Sequence, residues 1–330
     1  MANEVTIAGA GELEQATRTV ANPAISYLAS LAATGRRTMQ STLQEVAQMF
    51  GGELGTIPWA ALRYEHVQAL RTKLAERIIM TATGSKPMAA ATVNKYLAAL
   101  RGVAKEAWRL GLMDAETYQR IAAVQGVRGQ TLPSGRGLGP GELGALMRTC
   151  ANDATAAGAR DAAIIAMGYG AGLRRAELAG LDLADLADDG EIITATVRGK
   201  GNKERLVYLD NGSAQALRDW LAVRGQEPGA LFYSGRRGGH LVAGQRITGQ
   251  AIRDMLARRA QAAGIANATP HDLRRSFVSD LLDAGIDIAT VAGMAGHANI
   301  ETTRRYDRRG EQAKRKAARS LHVPYQRRGL

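Results

Sequence analysis

The chain has 330 residues, which is enough for two domains with separate hydrophobic cores. Its composition is 45% hydrophobic and 5% aromatic, no apolar run is long enough to cross a bilayer, and residues 1–15 lack the regions of a signal peptide. The single cysteine, Cys150, excludes an internal disulfide framework and a cysteine-based zinc site, and we expect it to be a small apolar residue of a helix. These features predict a globular cytoplasmic protein.

The charge balance favours a polyanionic partner. The net charge is +12 and the sequence pI is about 10.1, with the excess of basic residues spread over both halves of the chain. The last 24 residues alone hold 8 basic and 2 acidic groups. A basic surface of this kind suits DNA or RNA, although charge alone does not identify either.

The N-terminal half is predicted to be helical. Residues 1–20 are interpreted as an arm and residues 21–125 as a small helical domain, in which residues 81–87 form a loop between helices. Trp59 and Trp108 are expected in its core. Apolar residues at helical spacing define its clearest helix, in the order Val93, Tyr96, Leu97, Leu100, Val103, Ala104, Ala107 and Trp108. The opposite face carries Lys95 and Arg101, and it is either simply solvated or lies on a phosphate backbone.

A Gly-rich segment, residues 126–139, has the composition of a flexible linker and leads to a second domain, residues 140–330. Residues 191–209 give the one convincing β element, two strands flanking a Gly/Asn turn that carries Lys200 and Lys203. Residues 236–249 are interpreted as a Gly-rich loop and residues 251–263 as a helix. Residues 312–321 are predicted to form a basic helix that packs on its own domain or on a neighbouring subunit.

Residues 269–306 concentrate the groups that can do chemistry. Thr269 is a good N-cap with Asp272 three residues later, which places His271 and Arg274 on one face of a helix. Asp287 can cap a second helix that Gly296 ends, and Asn299 can cap a third helix that carries Tyr306. His297 is therefore predicted in the turn between two helices.

Arginine, histidine, lysine and tyrosine without an acidic cluster match phosphoryl transfer that needs no metal and no cofactor. Arginines can bind two oxygens of a phosphodiester as a rigid fork, and so replace the metal ion in stabilising its developing charge. A tyrosine can then act as a nucleophile that forms a covalent intermediate, and a lysine can protonate the leaving 5′ oxygen.

Five motifs in this order resemble the tyrosine recombinases, also called phage-type integrases, with Xer-like members the most similar. They are Gly172-Leu173-Arg174, residues 199–205, His271-Asp272-Leu273-Arg274, Gly296-His297, and Thr303 to Tyr306. The resemblance implies a mainly α fold: a helical SAM-like core-binding domain, followed by a mostly helical catalytic domain with a small antiparallel β-sheet.

The resemblance also implies a role for each matching residue. Arg174 and Arg274 would bind the scissile phosphate, with His297 as a further hydrogen-bond donor to it. His271 would act in general acid/base catalysis, Lys200 as the general acid, and Tyr306 as the nucleophile. Arg175 is an alternative to Arg174, Lys203 competes with Lys200, and Tyr325 is a second tyrosine in the basic tail. Further DNA contacts are expected from Lys95, Arg101, Arg175, Lys203 and Arg275.

The resulting hypothesis is a site-specific DNA recombinase of a mobile genetic element or chromosome, acting through a 3′-phosphotyrosine intermediate without metal or ATP. By resemblance, its partners would be double-stranded DNA with specific recombination sites and further copies of the chain, in a tetramer that exchanges a C-terminal helix. A second recombinase or a DNA-bending protein could also take part. Two alternatives are a type IB topoisomerase-like enzyme that relaxes supercoils and a non-catalytic DNA-binding accessory protein.

Overall fold

The computed structural model describes residues 22–81, 84–129, 136–139, 141–199, 203–236, 238, 240–306, 318 and 324. The chain divides into two compact units, Met1–Leu132 and Pro133–Leu330. The predicted arm (residues 1–20), the tip of the predicted Lys200 turn (residues 200–202) and the predicted C-terminal helix (residues 312–321, apart from residue 318) lie outside the described residues.

The first unit is a small helical bundle with one β-hairpin. Its helices are α1 (Pro23–Ala29), α2 (Ala33–Met49), α3 (Tyr64–Glu76), α4 (Ala90–Arg109) and α5 (Ala115–Ala122), and its strands are β1 (Ile78–Thr81) and β2 (Gly84–Pro87). The predicted apolar stripe of α4 is buried from Val93 to Ala107 and packs on α1, α2, α3 and α5. Trp59 is 1% exposed, as predicted for the core.

The prediction for Trp108 was wrong. Its side chain is 42% exposed and stacks on Tyr118 of α5, with ring centroids 5.3 Å apart and planes 7° from parallel. Trp108 is the last residue of the stripe, only one position before the end of α4. The helical spacing therefore continues to the last turn of α4, where the stacked Tyr118 covers the Trp108 ring only in part.

The predicted loop at residues 81–87 was also wrong, because β1 and β2 pair as an antiparallel hairpin. Ile78 pairs with Pro87 and Met80 with Ser85. Ile78 and Met80 are 58% and 82% exposed. An exposed two-stranded hairpin lacks the alternation of buried and exposed residues by which strands are recognised in a sequence.

The polar face of α4 holds the end of the first unit in place. The Asn94 side chain donates to the Val127 carbonyl (3.0 Å) and accepts from the Val127 N–H (2.8 Å). Arg101 donates to the Val124 carbonyl, and Arg71 donates to that of Gln125 at 2.7 Å. Asn94 and Arg101 of this face are therefore bonded to the end of the first unit, and a contact of the face with DNA remains a prediction.

The second unit is mostly helical. Its helices are α6 (Glu142–Ala151), α7 (Ala156–Gly170), α8 (Arg175–Gly180), α9 (Asn211–Arg224), α10 (Gly249–Ala262), α11 (Pro270–Asp283), α12 (Ile288–Ala295) and α13 (Ile300–Arg304). Helix α7 is buried on nearly every side and packs against α6, α9 and α11, so it forms the centre of this core. Cys150 is 2% exposed on α6, as expected of a small apolar residue.

Two antiparallel sheets flank these helices. The first contains β3 (Leu186–Asp188), β4 (Ile193–Arg198) and β5 (Glu204–Leu209) in that order, so the predicted strands at residues 191–209 are confirmed and gain a third. The second pairs β6 (Tyr233–Gly235) with β7 (Leu241–Arg246), where a Gly-rich loop was predicted. The predicted mainly α fold with small antiparallel sheets is thus confirmed, although the sequence had suggested only one β element.

Part of the predicted linker is bonded to a helix of the second unit. The Arg136 N–H donates to the Asp272 carboxylate (3.1 Å), and the Leu138 N–H donates to the Ser276 hydroxyl (2.6 Å). Residues 136–139 thus pack along α11 rather than serving as a free tether.

Within the described residues, no helix combines the length and apolar character needed to span a membrane. Nor does that part of the chain bring three or more His, Cys, Asp or Glu residues together as a metal site.

Candidate active site

The start of α11 places His271 and Arg274. The Thr269 N–H and hydroxyl both donate to the Asp272 carboxylate, at 2.9 and 2.7 Å, and the Asp272 N–H donates back to the Thr269 hydroxyl. This confirms the predicted capping box, which fixes the first turn of the helix.

Arg274 lies at the centre of the site and is only 3% exposed. Its guanidinium donates to the carbonyls of Gly172 and Ala295, each at 2.5 Å. Burial, followed by the nearby Arg174, lowers the pKa of Arg274 to about 10, so the group remains a cation at neutral pH. It joins the loop before α8 to the end of α12.

Arg174 is aimed at the same place from the loop before α8. Its guanidinium donates to Glu177 (2.7 Å) and to the Gly296 carbonyl (3.0 Å), and its side chain is 43% exposed. Because Arg174 and Arg274 bind the carbonyls of Gly296 and Ala295, both guanidiniums lie beside the turn that carries His297. The predicted arginine pair is therefore brought together.

Glu177 and Arg205 form a buried support beneath this pair. Arg205 donates to the two Glu177 oxygens at 3.1 and 2.8 Å, and to the Met294 carbonyl at 3.2 Å. Burial tends to raise the pKa of Glu177, but the hydrogen bonds from Arg205 and Arg174 outweigh it and hold the pKa below its usual value. Glu177 therefore stays ionised between two cations.

His297 follows the left-handed C-cap Gly296 (φ 64°), as predicted. Its Nδ1 lies 2.8 Å from the hydroxyl of Thr303 in α13. Burial, then Arg274 and Arg174, lowers the pKa of His297 to about 4, so its imidazole is neutral at pH 7.

Tyr306 contacts both histidines of the site. It lies in the turn just after α13 rather than on the helix itself, and its N–H donates to the Thr303 carbonyl at 2.9 Å. Its hydroxyl lies 3.3 Å from His271 Nε2, and its ring stacks on His297 with centroids 6.1 Å apart. The guanidinium of Arg275 lies 5.3 Å from the centre of the Tyr306 ring.

A cavity of about 270 Å³ opens beside these groups, and its lining includes Arg174, Arg274, His271, Arg175 and Arg253. Cationic donors converge on one space whose lining includes the His271 imidazole, and the Tyr306 hydroxyl lies 3.3 Å from that imidazole. This arrangement suits a phosphodiester that is attacked by that hydroxyl. Arg253 was not among the candidates. It lies on α10, far in sequence from the other motifs.

The remaining candidate residues, Lys200, Lys203 and Arg275, differ in how the structure places them. Lys200 lies outside the described residues. Lys203 is exposed beside that gap, and its carbonyl accepts from the Gly199 N–H at 2.8 Å. Arg275 is only 5% exposed, so its predicted DNA contact has little accessible surface, and that contact remains a prediction.

Arg205 and Thr303 lie within the motifs, but their supporting roles were not predicted. Arg205 occupies β5 in alternation with the buried Val207 and Leu209, and an inward-facing arginine on a strand was a usable signal. Thr303 gave no comparable signal because its contact with His297 depends on a turn between two helices.

Comparison with known proteins gives the family. The phage integrase family profile matches residues 137–312, more than half of the chain. The tyrosine recombinase XerC of Corynebacterium glutamicum is 33% identical over 219 residues, covering 66% of this chain and 67% of that protein. XerC of Shewanella amazonensis is 32% identical over 257 residues, covering 77% and 79%.

Solved structures share the fold. The Tn1549 transposon integrase in complex with transposon right end DNA superposes with a TM-score of 0.62 at 18% identity, covering 91% of this chain and 99% of that one. A lambda integrase dimer bound to a core site gives 0.60 at 16% identity, with 91% and 95% covered. The chain belongs to the phage integrase family and is a Xer-like tyrosine recombinase.

Proposed function

We propose that this tyrosine recombinase cuts and rejoins DNA at specific sites through Tyr306. The observation that carries the proposal is the position of the Tyr306 hydroxyl, 3.3 Å from His271 Nε2, in a site where the Arg174 and Arg274 guanidiniums lie at the turn that carries His297. In this arrangement one group can accept the phenol proton while two cations hold the phosphate that the oxygen attacks.

The proton of Tyr306 passes to His271. Burial and the adjacent Arg275 guanidinium lower the pKa of His271, which leaves Nε2 available as an acceptor at neutral pH. The phenolate oxygen then bonds to phosphorus, and the bond from phosphorus to the 5′ oxygen breaks. The product is a 3′-phosphotyrosine ester and a free 5′ end.

Arg174 and Arg274 neutralise the charge that develops on the phosphate oxygens. Arg274 keeps its charge at neutral pH. Both guanidiniums already donate to backbone carbonyls, so little reorganisation is needed when the phosphate arrives. His297 adds a hydrogen bond to the same oxygens.

Lys200 supplies the proton for the leaving 5′ oxygen in this proposal, by resemblance alone, with Lys203 as the alternative. Rejoining is the reverse reaction: the 5′ hydroxyl of a partner strand attacks the phosphotyrosine, and Tyr306 leaves. The ester retains the energy of the broken phosphodiester, so rejoining requires no ATP.

We further propose that residues 21–125 and 140–330 grip duplex DNA as a clamp, and that four copies assemble on two DNA sites. Support comes from the net charge of +12 and from the family. Light scattering of the protein with and without a two-site DNA would measure the number of copies. A catalytically competent monomer on DNA would contradict the tetramer.

The test of Tyr306 uses DNA that carries candidate crossover sites and a nick that traps the cleaved strand. Wild type, Tyr306→Phe and the matched control Tyr325→Phe are analysed on a denaturing protein gel. Wild type and Tyr325→Phe should form a covalent adduct, whereas Tyr306→Phe should form none and bind DNA within about threefold of wild type. An adduct retained by Tyr306→Phe would contradict the proposal.

A further inference from the structure

Thr303 connects two groups of the site. Its side chain is completely buried (0% exposed), and its hydroxyl oxygen lies 2.8 Å from His297 Nδ1. Its carbonyl also accepts the N–H of Tyr306 at 2.9 Å. One residue of α13 thus contacts both the histidine and the turn that carries the nucleophile.

The charge state of His297 limits which of its two nitrogens can carry a proton in this contact. Its pKa is lowered to about 4, by burial first and then by Arg274 and Arg174. At neutral pH the imidazole therefore carries one N–H and one lone pair. Since Nδ1 faces Thr303, Nε2 is the nitrogen left to interact with a substrate.

We propose that Thr303 is a positioning residue whose hydroxyl donates to Nδ1 and holds His297 as the Nε2–H tautomer, which then donates to a non-bridging oxygen of the scissile phosphate. This inference rests on the strand cleavage proposed above. It adds to that mechanism a reason why a neutral histidine acts as a donor.

The opposite tautomer cannot do this work. If Nδ1–H donated to Thr303, Nε2 would present a lone pair to the phosphate. The non-bridging oxygens of a phosphodiester carry no proton to share, so the two acceptors would repel each other. The turn that carries His297 is itself held by two arginines, since the Arg174 and Arg274 guanidiniums donate to the backbone carbonyls of Gly296 and Ala295.

The hydrogen bond between Thr303 and His297 also affects Tyr306, because the His297 ring stacks on the Tyr306 ring. The two rings lie 11° from parallel. Rotation of the imidazole away from Thr303 would therefore disturb the plane on which the nucleophile rests. Thr303→Val keeps the shape of the side chain but removes the donor, so it separates hydrogen bonding from packing.

A double-mutant cycle tests this role. The rate of adduct formation is measured at single turnover for wild type, Thr303→Val, Thr303→Ser, His297→Phe and the double variant Thr303→Val with His297→Phe. Hydrogen-bond partners that orient a metal-ligating histidine typically contribute about 10- to 100-fold, and we expect a loss of the same order for Thr303→Val. Thr303→Ser should recover most of that loss. In the His297→Phe background the same Thr303→Val change should cost less than about threefold.

An equal loss in both backgrounds would mean that Thr303 acts only through packing and would overturn the inference. Melting temperature and DNA affinity, measured for each variant, identify any loss that comes from folding or binding. If wild type itself forms no adduct, the proposed cleavage fails. The tautomer of His297 is then determined by a measurement that does not depend on cleavage.

That separate measurement is the long-range ¹H–¹⁵N spectrum of the ¹⁵N-histidine-labelled protein at pH 7. The chain has five histidines, and the signal missing from His297→Gln identifies His297. The expected result is a proton on Nε2 and a bare Nδ1 that accepts a hydrogen bond. A proton on Nδ1 in the wild-type protein would overturn the inference whatever the activity.

Discussion

Glu177 is the acidic residue on which two guanidiniums of the site converge. Arg174 and Arg205 both donate to its carboxylate, which is 7% exposed. Breaking a buried pair leaves a charge without its partner, and this costs more than a surface pair contributes. Glu177 therefore supports both the stability of the catalytic unit and the direction in which Arg174 points.

We predict that Glu177→Gln lowers the free energy of unfolding of the catalytic unit by about 2 kcal/mol or more, because hydrogen bonds to charged groups contribute about 1.5–3 kcal/mol each. Adduct formation should slow because Arg174 loses its support. Denaturant unfolding is the measurement, and Glu191→Gln, at an exposed position, is the control. Equal stability of the two variants would contradict the role of Glu177.

The stability that Glu177 contributes depends on pH, and the direction of this dependence follows from its pKa. The pKa of Glu177 is lowered in the folded protein, so its contribution is present above the unfolded value of about 4.3 and is lost as pH falls through the lowered folded value. The difference in melting temperature between wild type and Glu177→Gln should therefore be constant near pH 7 and narrow toward pH 3. A gap that widened on acidification would show that the carboxylate is not held ionised.

At the scale of single residues, the sequence predicted groups that share a short motif and missed those joined by the fold. Arg274 and His271 were found because they lie one helical turn apart on α11. The contacts of Arg205 with Glu177 and of Thr303 with His297 each cross a turn or a gap in sequence that local spacing does not determine.

Among the connecting elements, the loop between α7 and α8 requires a glycine. Gly172 has φ 61°, and a Cβ at this position would lie 2.3 Å from the Phe277 ring. Its carbonyl accepts one of the hydrogen bonds from Arg274. The glycine thus allows both the left-handed backbone and the close approach of α11.

Gly172→Ala should lower the free energy of unfolding by about 2–5 kcal/mol, combining left-handed strain of about 1–2 kcal/mol with overpacking of about 1–3 kcal/mol. Gly190→Ala is the matched control, because Gly190 also has a positive φ (93°) but has nothing within 4 Å of a Cβ. The control should show the strain alone. If both variants lose the same stability in denaturant unfolding, the clash with Phe277 is not significant.

Helix ends were predictable because capping is local: Thr269, Asp287 and Gly296 have the expected roles. The hairpin of β1 and β2 and the strand β7 were not predictable. Their residues are largely exposed or Gly-rich and lack a period of two. On the polar face of α4, the contacts of Asn94 and Arg101 with a returning segment were not predicted either, because they join residues that are distant in sequence.

Across the whole molecule, a net charge of +12 predicts DNA binding that weakens steeply with salt. Each phosphate contact contributes about −0.9 to the slope of log K against log salt. Lys95 on α4 is partly exposed, whereas the Arg101 guanidinium is held by Val124, so the two candidates should behave differently.

Lys95→Gln should make the salt slope shallower by about 0.9, and Arg101→Gln should lower the melting temperature of the first unit. Fluorescence anisotropy with duplex DNA at several salt concentrations measures the first effect, and thermal unfolding measures the second. An unchanged slope for Lys95→Gln would remove Lys95 from the candidate DNA contacts.

The most direct test of the mechanism is to identify the amino acid that becomes linked to DNA. Wild-type protein is trapped on a nicked substrate and digested with protease and nuclease, and the peptide that retains nucleotide is sequenced by mass spectrometry. The expected peptide carries a 3′-phosphoryl nucleotide on Tyr306. Linkage to Tyr325 or to another residue would contradict the assignment of Tyr306 as the nucleophile, and linkage through a 5′ phosphate would contradict the proposed 3′-phosphotyrosine intermediate.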